Sequence, residues 1–134
     1  MSIELTYLSW TLVIAVVQIL WADFARTVQY GLKWNTGARD EDMPPLKPMG
    51  ARLFRAQANL YETLPLFIAA VLIATVAHKD GTALTLWGCR LYVWGRVAYV
   101  PLYAFGVKQI RSLVWLVSFA GLLLTIAAVL LPTA

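Results

Sequence analysis

The sequence predicts an all-α integral membrane protein, a bundle of four helices in one domain. Hydrophobic residues make up 60% of the 134 residues and charged residues only 13%, about half of the share found in soluble domains. Four apolar stretches alternate with short polar segments, and each approaches or exceeds the ~20 residues that cross a bilayer. Short connections require successive helices to pack as antiparallel neighbours.

The predicted spans cover about residues 5–30, 49–78, 82–105 and 110–131. The second span reaches a spanning length only when its polar first half is counted, because its uniformly apolar part begins at Leu64. The N-terminal stretch has no basic segment and no cleavage site of small residues. We therefore expect the first span to be retained rather than removed as a signal peptide.

The distribution of basic residues predicts the orientation of the spans. The first and third connections and their flanks hold most of them: Arg26, Lys33, Arg39, Lys47, Arg52, Lys108 and Arg111. The second connection holds only Lys79. We expect the first and third connections to face the cytoplasm and both termini to lie on the other side. The short chain carries no retention signal, which favours a bacterial inner membrane.

Several function classes find no support in the sequence. The basic residues sit at span ends and form no arm or patch of the kind that binds nucleic acid. The single cysteine, Cys89, cannot form a disulfide within the chain, and no cluster of cysteine and histidine predicts a metal site. His78 lies beside Lys79 in a polar segment, where a solvated loop histidine is expected.

Four polar residues recur at helical spacing early in the second span: Arg52, Arg55, Asn59 and Glu62. This spacing places them within an arc of roughly 80° on one helix face. Polar groups at membrane depth are costly and face a partner, a cavity or a ligand. Pro65 follows and leaves the carbonyl of Tyr61 without its usual donor, which predicts a kink or a water-accessible notch. The alternatives are that Arg52, like Arg111 of the fourth span, extends to headgroups and that the other three residues of the stripe join helices.

The third and fourth spans carry matching polar features. Arg96, Tyr99 and Tyr103 share one face of the third span, and Arg111 and Ser112 begin the fourth. We expect these residues and the start of the second span to lie at one depth near the cytoplasmic side. Several guanidinium groups with few acidic partners suit an anionic ligand such as a carboxylate. Arg90 projects about 120° away from this face, which predicts a structural or interfacial residue.

These motifs resemble those of the MAPEG family, membrane-associated proteins in eicosanoid and glutathione metabolism. RAQAN at residues 55–59, followed by LYE and Pro65, resembles its second-helix signature. RVAYVPLY at residues 96–103 and RS at 111–112 resemble its third-helix motif and fourth-helix entry. The similarity is closest to glutathione-using members, the leukotriene-forming synthases and microsomal glutathione transferases.

The resemblance implies a homotrimer with glutathione as co-substrate, bound between subunits near the cytoplasmic side. The residues it would assign to glutathione binding on the second helix are Arg55, Gln57, Asn59 and Glu62, beside Arg52 of the same stripe. It implies that Arg96, Tyr99 and Tyr103 contribute from the adjacent subunit. Arg111, with Ser112, would stabilise the thiolate, the reactive form of a thiol whose pKa is roughly 8.5. A basic residue of the first helix, Arg26 or Lys33, would complete the site.

Two positions depart from relatives within the family. Residue 58 is alanine where the prostaglandin-forming branch carries an arginine, and Tyr99 stands where those relatives carry histidine.

Three functions follow as hypotheses. The first is a glutathione transferase, with or without peroxidase activity, acting on lipophilic electrophiles that arrive from the bilayer. The second is a non-catalytic membrane protein that binds lipid or another anion, and the third is a structural protein whose polar stripes join subunits.

Overall fold

A computed structural model describes residues 1–132, which form five α-helices and no strand. The helices are α1 (Ile3–Tyr30), α2 (Leu32–Thr36), α3 (Pro48–Val76), α4 (Ala83–Ala104) and α5 (Ile110–Leu130). The all-α class is confirmed, and the four long helices begin and end within two residues of the predicted segments. The short helix α2 was not expected. The predicted placement of the C-terminus falls on residues outside the described range.

Three of the described helices, α1, α3 and α5, are long and apolar enough to cross a membrane. Their outward faces carry large apolar side chains whose exposure to water would be unfavourable. Examples are Leu20, Phe24 and Leu113, each more than half exposed. An apolar exterior of this kind is expected where the surrounding solvent is lipid. Helix α4 has 22 residues and contains Arg90 and Arg96; that it also spans the bilayer stays a prediction.

The long helices lie at the corners of a four-sided bundle. Helix α1 packs against α3 and α4, and α5 packs against the same two helices, whereas α1 and α5 make no contact within residues 1–132. Helices α1 and α5 are therefore diagonal. Helices α3 and α4 touch across the centre, where the rings of Phe67 and Tyr92 stack at 4.1 Å and the Thr63 and Tyr92 hydroxyls hydrogen-bond at 2.9 Å.

Helices α4 and α5 approach each other most closely, because glycines line their contact. A Cβ on Gly88 would overlap Thr125 Oγ1, and one on Gly121 would lie 2.5 Å from the backbone nitrogen of Tyr92. Gly95 similarly faces Ser118, whose Cβ would be 2.8 Å away. Small residues at such a contact let two helix backbones approach in a membrane. The close approach sets the position of the polar residues of α4 against those of α5.

Side-chain hydrogen bonds stabilise one end of the bundle, where the N-termini of α1 and α4 meet the C-terminus of α5. The carboxylate of Glu4 accepts hydrogen bonds from the Gly81 N–H at 2.6 Å and the Thr85 hydroxyl at 2.7 Å. Lys79 Nζ donates to the carbonyl of Val129 at 2.7 Å, near the end of α5, where helix carbonyls lack partners. We call this the Glu4 end, and the other end, where α3 and α5 begin, the basic end.

Candidate functional site

The site is centred on the ring of Tyr103, at the basic end. Arg55 of α3 donates from Nε to the Tyr103 hydroxyl at 3.1 Å, and its guanidinium carbon lies 5.8 Å from the ring centroid. Arg111 of α5 approaches the same ring, with its guanidinium carbon 4.5 Å from the centroid. A cation near an aromatic ring is attracted by the ring quadrupole. One ring of α4 therefore brings together cations from two other helices.

The second ring of the site, Tyr99, lies one turn further into α4. It meets Tyr103 edge to face with the centroids 5.5 Å apart, and the guanidinium carbon of Arg96 lies 4.4 Å from the Tyr99 centroid. The contacts continue to α3, because Arg96 Nη1 donates to Asn59 Oδ1 at 2.7 Å. The polar stripes of α3 and α4 thus face each other within one chain, since these helices are antiparallel neighbours.

Trp115 is a member of the site that the sequence analysis did not identify. Its indole nitrogen donates to Asn59 Oδ1 at 3.0 Å, and its ring stacks on Phe119 at 4.9 Å. The available signal was its position one turn after Arg111 on the same helix. A tryptophan inside an apolar span is otherwise indistinguishable from one that faces lipid.

Arg96 is buried beneath the site rather than displayed in it. Its side chain is 1% exposed, and Nε and Nη2 make no hydrogen bond within residues 1–132. A buried guanidinium is costly unless it is paired, and the one ion pair of the described chain joins Arg26 to Asp23 instead. Arg96 contacts Asn59 and Tyr99 of its own chain; that it contacts a ligand, or contributes to a site from an adjacent subunit, stays a prediction.

An open groove of about 310 Å³ lies beside these residues on the α3–α5 side of the bundle. It is lined by Asn59, Tyr99, Arg111, Ser112, Trp115 and Leu116. The groove therefore combines a guanidinium, an amide, a phenol and a hydroxyl with apolar surface from α5. Specific polar groups in a mostly apolar cleft are typical of small-molecule sites.

Three other α3 residues predicted for the site lie away from this groove: Arg52, Gln57 and Glu62. Arg52 donates from Nε to the carbonyl of Ala104 at 3.0 Å and so satisfies the end of α4. Gln57 donates along its own helix to the Tyr61 hydroxyl at 2.8 Å. Glu62 is exposed and makes no hydrogen bond or ion pair with any residue from 1 to 132. The stripe therefore includes residues that contact other helices of the bundle, such as Arg52 and Asn59, and one that is exposed, Glu62.

A second groove, of about 490 Å³, adjoins the outer face of α3 at Pro65. Its lining is apolar and includes Leu64, Ile68 and Leu72. The sequence predicted a kink or a water-accessible notch at Pro65. The groove lies at the predicted position, but its apolar lining suits a hydrocarbon group rather than water.

The two cations predicted to complete the site from the first helix lie on different helices, Arg26 on α1 and Lys33 on α2. Arg26 pairs with Asp23 at 3.0 Å, and its guanidinium carbon lies 4.7 Å from the ring centroid of Phe54. Phe54 is next to Arg55 in sequence. Lys33 is exposed on α2. Of the two, Arg26 is the one held against α3.

No metal-binding group of three or more histidine, cysteine, aspartate or glutamate side chains occurs in the part of the chain that the structure describes. Cys89 is fully buried in the central cluster with Phe67 and Tyr92. The chemistry available at the site is therefore that of guanidinium, phenol, amide and hydroxyl groups.

Comparison with known proteins agrees with the motifs of α3, α4 and α5. The family model described as the MAPEG family matches residues 7–131, nearly the whole chain. No curated protein and no solved structure matches it. The predicted relationship is confirmed: this membrane protein belongs to the MAPEG family.

Proposed function

We propose that the protein is a membrane-bound glutathione transferase that adds the thiolate of glutathione to lipophilic electrophiles. The proposal rests on two guanidinium groups. Arg55 of α3 and Arg111 of α5 both lie beside the ring of Tyr103. Neither forms an ion pair within residues 1–132. Glutathione is an anion with two carboxylates, and the donor fork of arginine matches carboxylate geometry.

The groove offers further groups for the polar parts of the peptide. Asn59 accepts both of its observed hydrogen bonds at Oδ1, so its amide N–H groups remain to donate to a carbonyl or carboxylate. Ser112 lines the same groove and is exposed. Its hydroxyl is a suitable donor to a sulfur anion beside Arg111.

Arg111 supplies the activation step. A free thiol has a pKa of roughly 8.5, and a neighbouring guanidinium lowers it, which increases the thiolate fraction at neutral pH. The thiolate sulfur then forms a bond to an electrophilic carbon, and the leaving group departs with its bonding electron pair. The thiol proton has already passed to water. Catalysis consists of thiolate formation and positioning of the two reactants.

The electrophile reaches the groove from the hydrocarbon phase. Leu116 and Trp115 line the groove, and Leu113, on the same helix, is 62% exposed. Apolar reactants partition into the bilayer, so a groove open to it meets them at high local concentration. The thiolate approaches from the polar side and the electrophile from the apolar side.

A homotrimer accounts for the outward polar residues of α3. Glu62 and Arg55 are exposed on a helix that is long and apolar enough to span a membrane, and charged groups at such depth are costly against lipid. In a trimer that covers this face, both would meet a neighbouring subunit or glutathione held between subunits.

A conjugation assay tests the proposal. Purified protein in detergent is mixed with glutathione and a chlorodinitrobenzene, and thioether formation is followed by absorbance. The expected result is turnover that saturates with glutathione and falls at least tenfold in Arg111→Ala, a loss on the order of 1.4 kcal/mol of transition-state stabilisation. Lys108→Ala removes a nearby exposed cation as the matched control. Glutathione binding with no turnover for any electrophile would contradict the transferase and favour a non-catalytic binding protein.

A further inference from the structure

The largest groove described lies on the opposite side of the bundle from the glutathione site. It encloses about 590 Å³ between α1 and α4. Its lining is almost entirely apolar: Ile3, Thr6, Tyr7, Trp10, Ile14, Val93, Trp94 and Val97. Since α1 and α5 are diagonal, the α1–α4 edge is opposite the α3–α5 edge that carries Arg111. The transferase site therefore makes no use of this groove.

Along the helix axes, the groove extends from the Glu4 end to about the middle of the bundle. The α1 side of its lining begins at Ile3, next to the buried Glu4 that bonds to Thr85. On α4, the lining continues to Val97, six residues before Tyr103, which corresponds to about 9 Å along the helix. A molecule in this groove therefore extends from the Glu4 end to about the middle of the membrane.

A cation lies on the α4 face that lines the groove. Arg90 precedes Trp94 by one turn, so it extends the α4 stripe of Trp94 and Val97 toward the Glu4 end. Its guanidinium carbon lies 5.2 Å from the centroid of Trp87, and it makes no hydrogen bond or ion pair with any residue in the range 1–132. The nearby carboxylate of Glu4 is buried and bonded to Gly81 and Thr85, so it leaves the charge of Arg90 unpaired.

Charge and shape together define the occupant. A long apolar groove accepts a hydrocarbon chain, and an unpaired guanidinium beside it can donate to phosphate oxygens, which arginine binds through its donor fork. The exposed ring of Trp87, in the second turn of α4, is of the type enriched at the headgroup level of membranes. We propose that this groove is a binding site for an anionic phospholipid, with one acyl chain between α1 and α4 and the phosphate on Arg90.

Retention of defined lipids tests the site without any measurement of catalysis. Delipidated protein in detergent is mixed with phosphatidylglycerol or phosphatidylcholine of identical chains, and bound lipid is counted by native mass spectrometry. Wild type is expected to retain phosphatidylglycerol about fivefold more than phosphatidylcholine, as one interfacial arginine contributes toward anionic lipid. Arg90→Gln is expected to lose that preference. Lys33→Gln, which removes an exposed cation from α2 at the basic end, is expected to keep it.

A second variant tests the acyl-chain part of the groove. Val97 lines it and is 43% exposed, so Val97→Trp fills space without entering the bundle core. Its expected effect is loss of retained phosphatidylglycerol, with a thermal melt in lipid-free detergent equal to that of wild type. Equal retention of both lipids by wild type, or unchanged phosphatidylglycerol retention in Arg90→Gln or Val97→Trp, would overturn the proposal.

Discussion

Arg96 and Trp115 donate hydrogen bonds to the same oxygen, Oδ1 of Asn59, over 2.7 and 3.0 Å. One donor comes from α4 and the other from α5, so the amide of α3 is held from both neighbouring helices. An amide whose oxygen is occupied twice has one favoured orientation, with its N–H groups turned away from both donors. The pair thereby gives the groove a hydrogen-bond donor in a defined direction.

The role of Trp115 predicts the behaviour of Trp115→Phe. The variant keeps a ring that can stack on Phe119 and loses only the indole N–H, so the protein should fold. Glutathione affinity should fall about three- to tenfold, the effect of one hydrogen bond of roughly 0.5–1.5 kcal/mol. Calorimetric titration measures it, with Trp10→Phe, on the far side of the bundle, as the control. Equal affinity in Trp115→Phe and wild type would remove the positioning role.

The sequence predicted the features that depend on periodicity along one helix. Apolar runs marked the four long helices, and spacing placed Tyr99 and Tyr103 on one face. Periodicity does not reveal which neighbouring helix a face meets, so it could not separate Asn59, which bonds to α4 and α5, from Glu62, which is exposed.

Two further features depend on tertiary packing and had no distinct local signal. The burial of Arg96 was not predicted, because it depends on how α4 packs against its neighbouring helices. In sequence, Trp115 looks the same as a tryptophan that faces lipid, because both lie in an apolar span. Only the position of Asn59 in the folded chain reveals its hydrogen bond. The short helix α2 lies in a polar stretch where no apolar periodicity was available.

Arg111→Ala should raise the pKa of the thiol of bound glutathione. The guanidinium favours the thiolate, so wild type should hold that pKa below the usual value of about 8.5. Without the cation the pKa moves back upward, and the thiolate fraction at neutral pH falls. Ultraviolet difference absorption of the thiolate, followed against pH at saturating glutathione, measures the shift. Lys108→Ala should leave the titration midpoint in place, and an unmoved midpoint in Arg111→Ala would exclude thiolate stabilisation by this residue.

Gly121→Ala should destabilise the bundle. The new Cβ would lie 2.5 Å from the backbone nitrogen of Tyr92 and 2.6 Å from the carbonyl oxygen of Gly88, and backbone atoms cannot move aside cheaply. The expected loss is about 1–3 kcal/mol or more, seen as a lower melting temperature in detergent. Gly50→Ala is the control, since its Cβ would meet nothing closer than 3.8 Å. Equal melting of the two variants would contradict the close packing of α4 on α5.

Glu4→Ala should weaken the Glu4 end. It removes the acceptor from the Gly81 N–H and from the Thr85 hydroxyl, two hydrogen bonds made by a carboxylate that is 2% exposed. The Thr85 hydroxyl can still donate to the carbonyl of Thr82 at 3.0 Å, but the Gly81 N–H is left without a partner, which costs about 1–3 kcal/mol. Thermal melting in detergent measures the loss. Glu41→Ala, in the exposed connection before α3, should change stability by no more than about 0.5 kcal/mol.

The most direct measurement is a calorimetric titration of the detergent-solubilised protein with glutathione, at fixed pH and salt. The cluster formed by Arg55, Tyr103 and Arg111 should give saturable binding in wild type. Arg55→Ala and Arg111→Ala should each weaken it by at least about tenfold, since a hydrogen bond to a charged group contributes roughly 1.5–3 kcal/mol. Absence of saturable binding in a well-folded wild type, or undiminished affinity in both variants, would contradict the assignment of this cluster to glutathione.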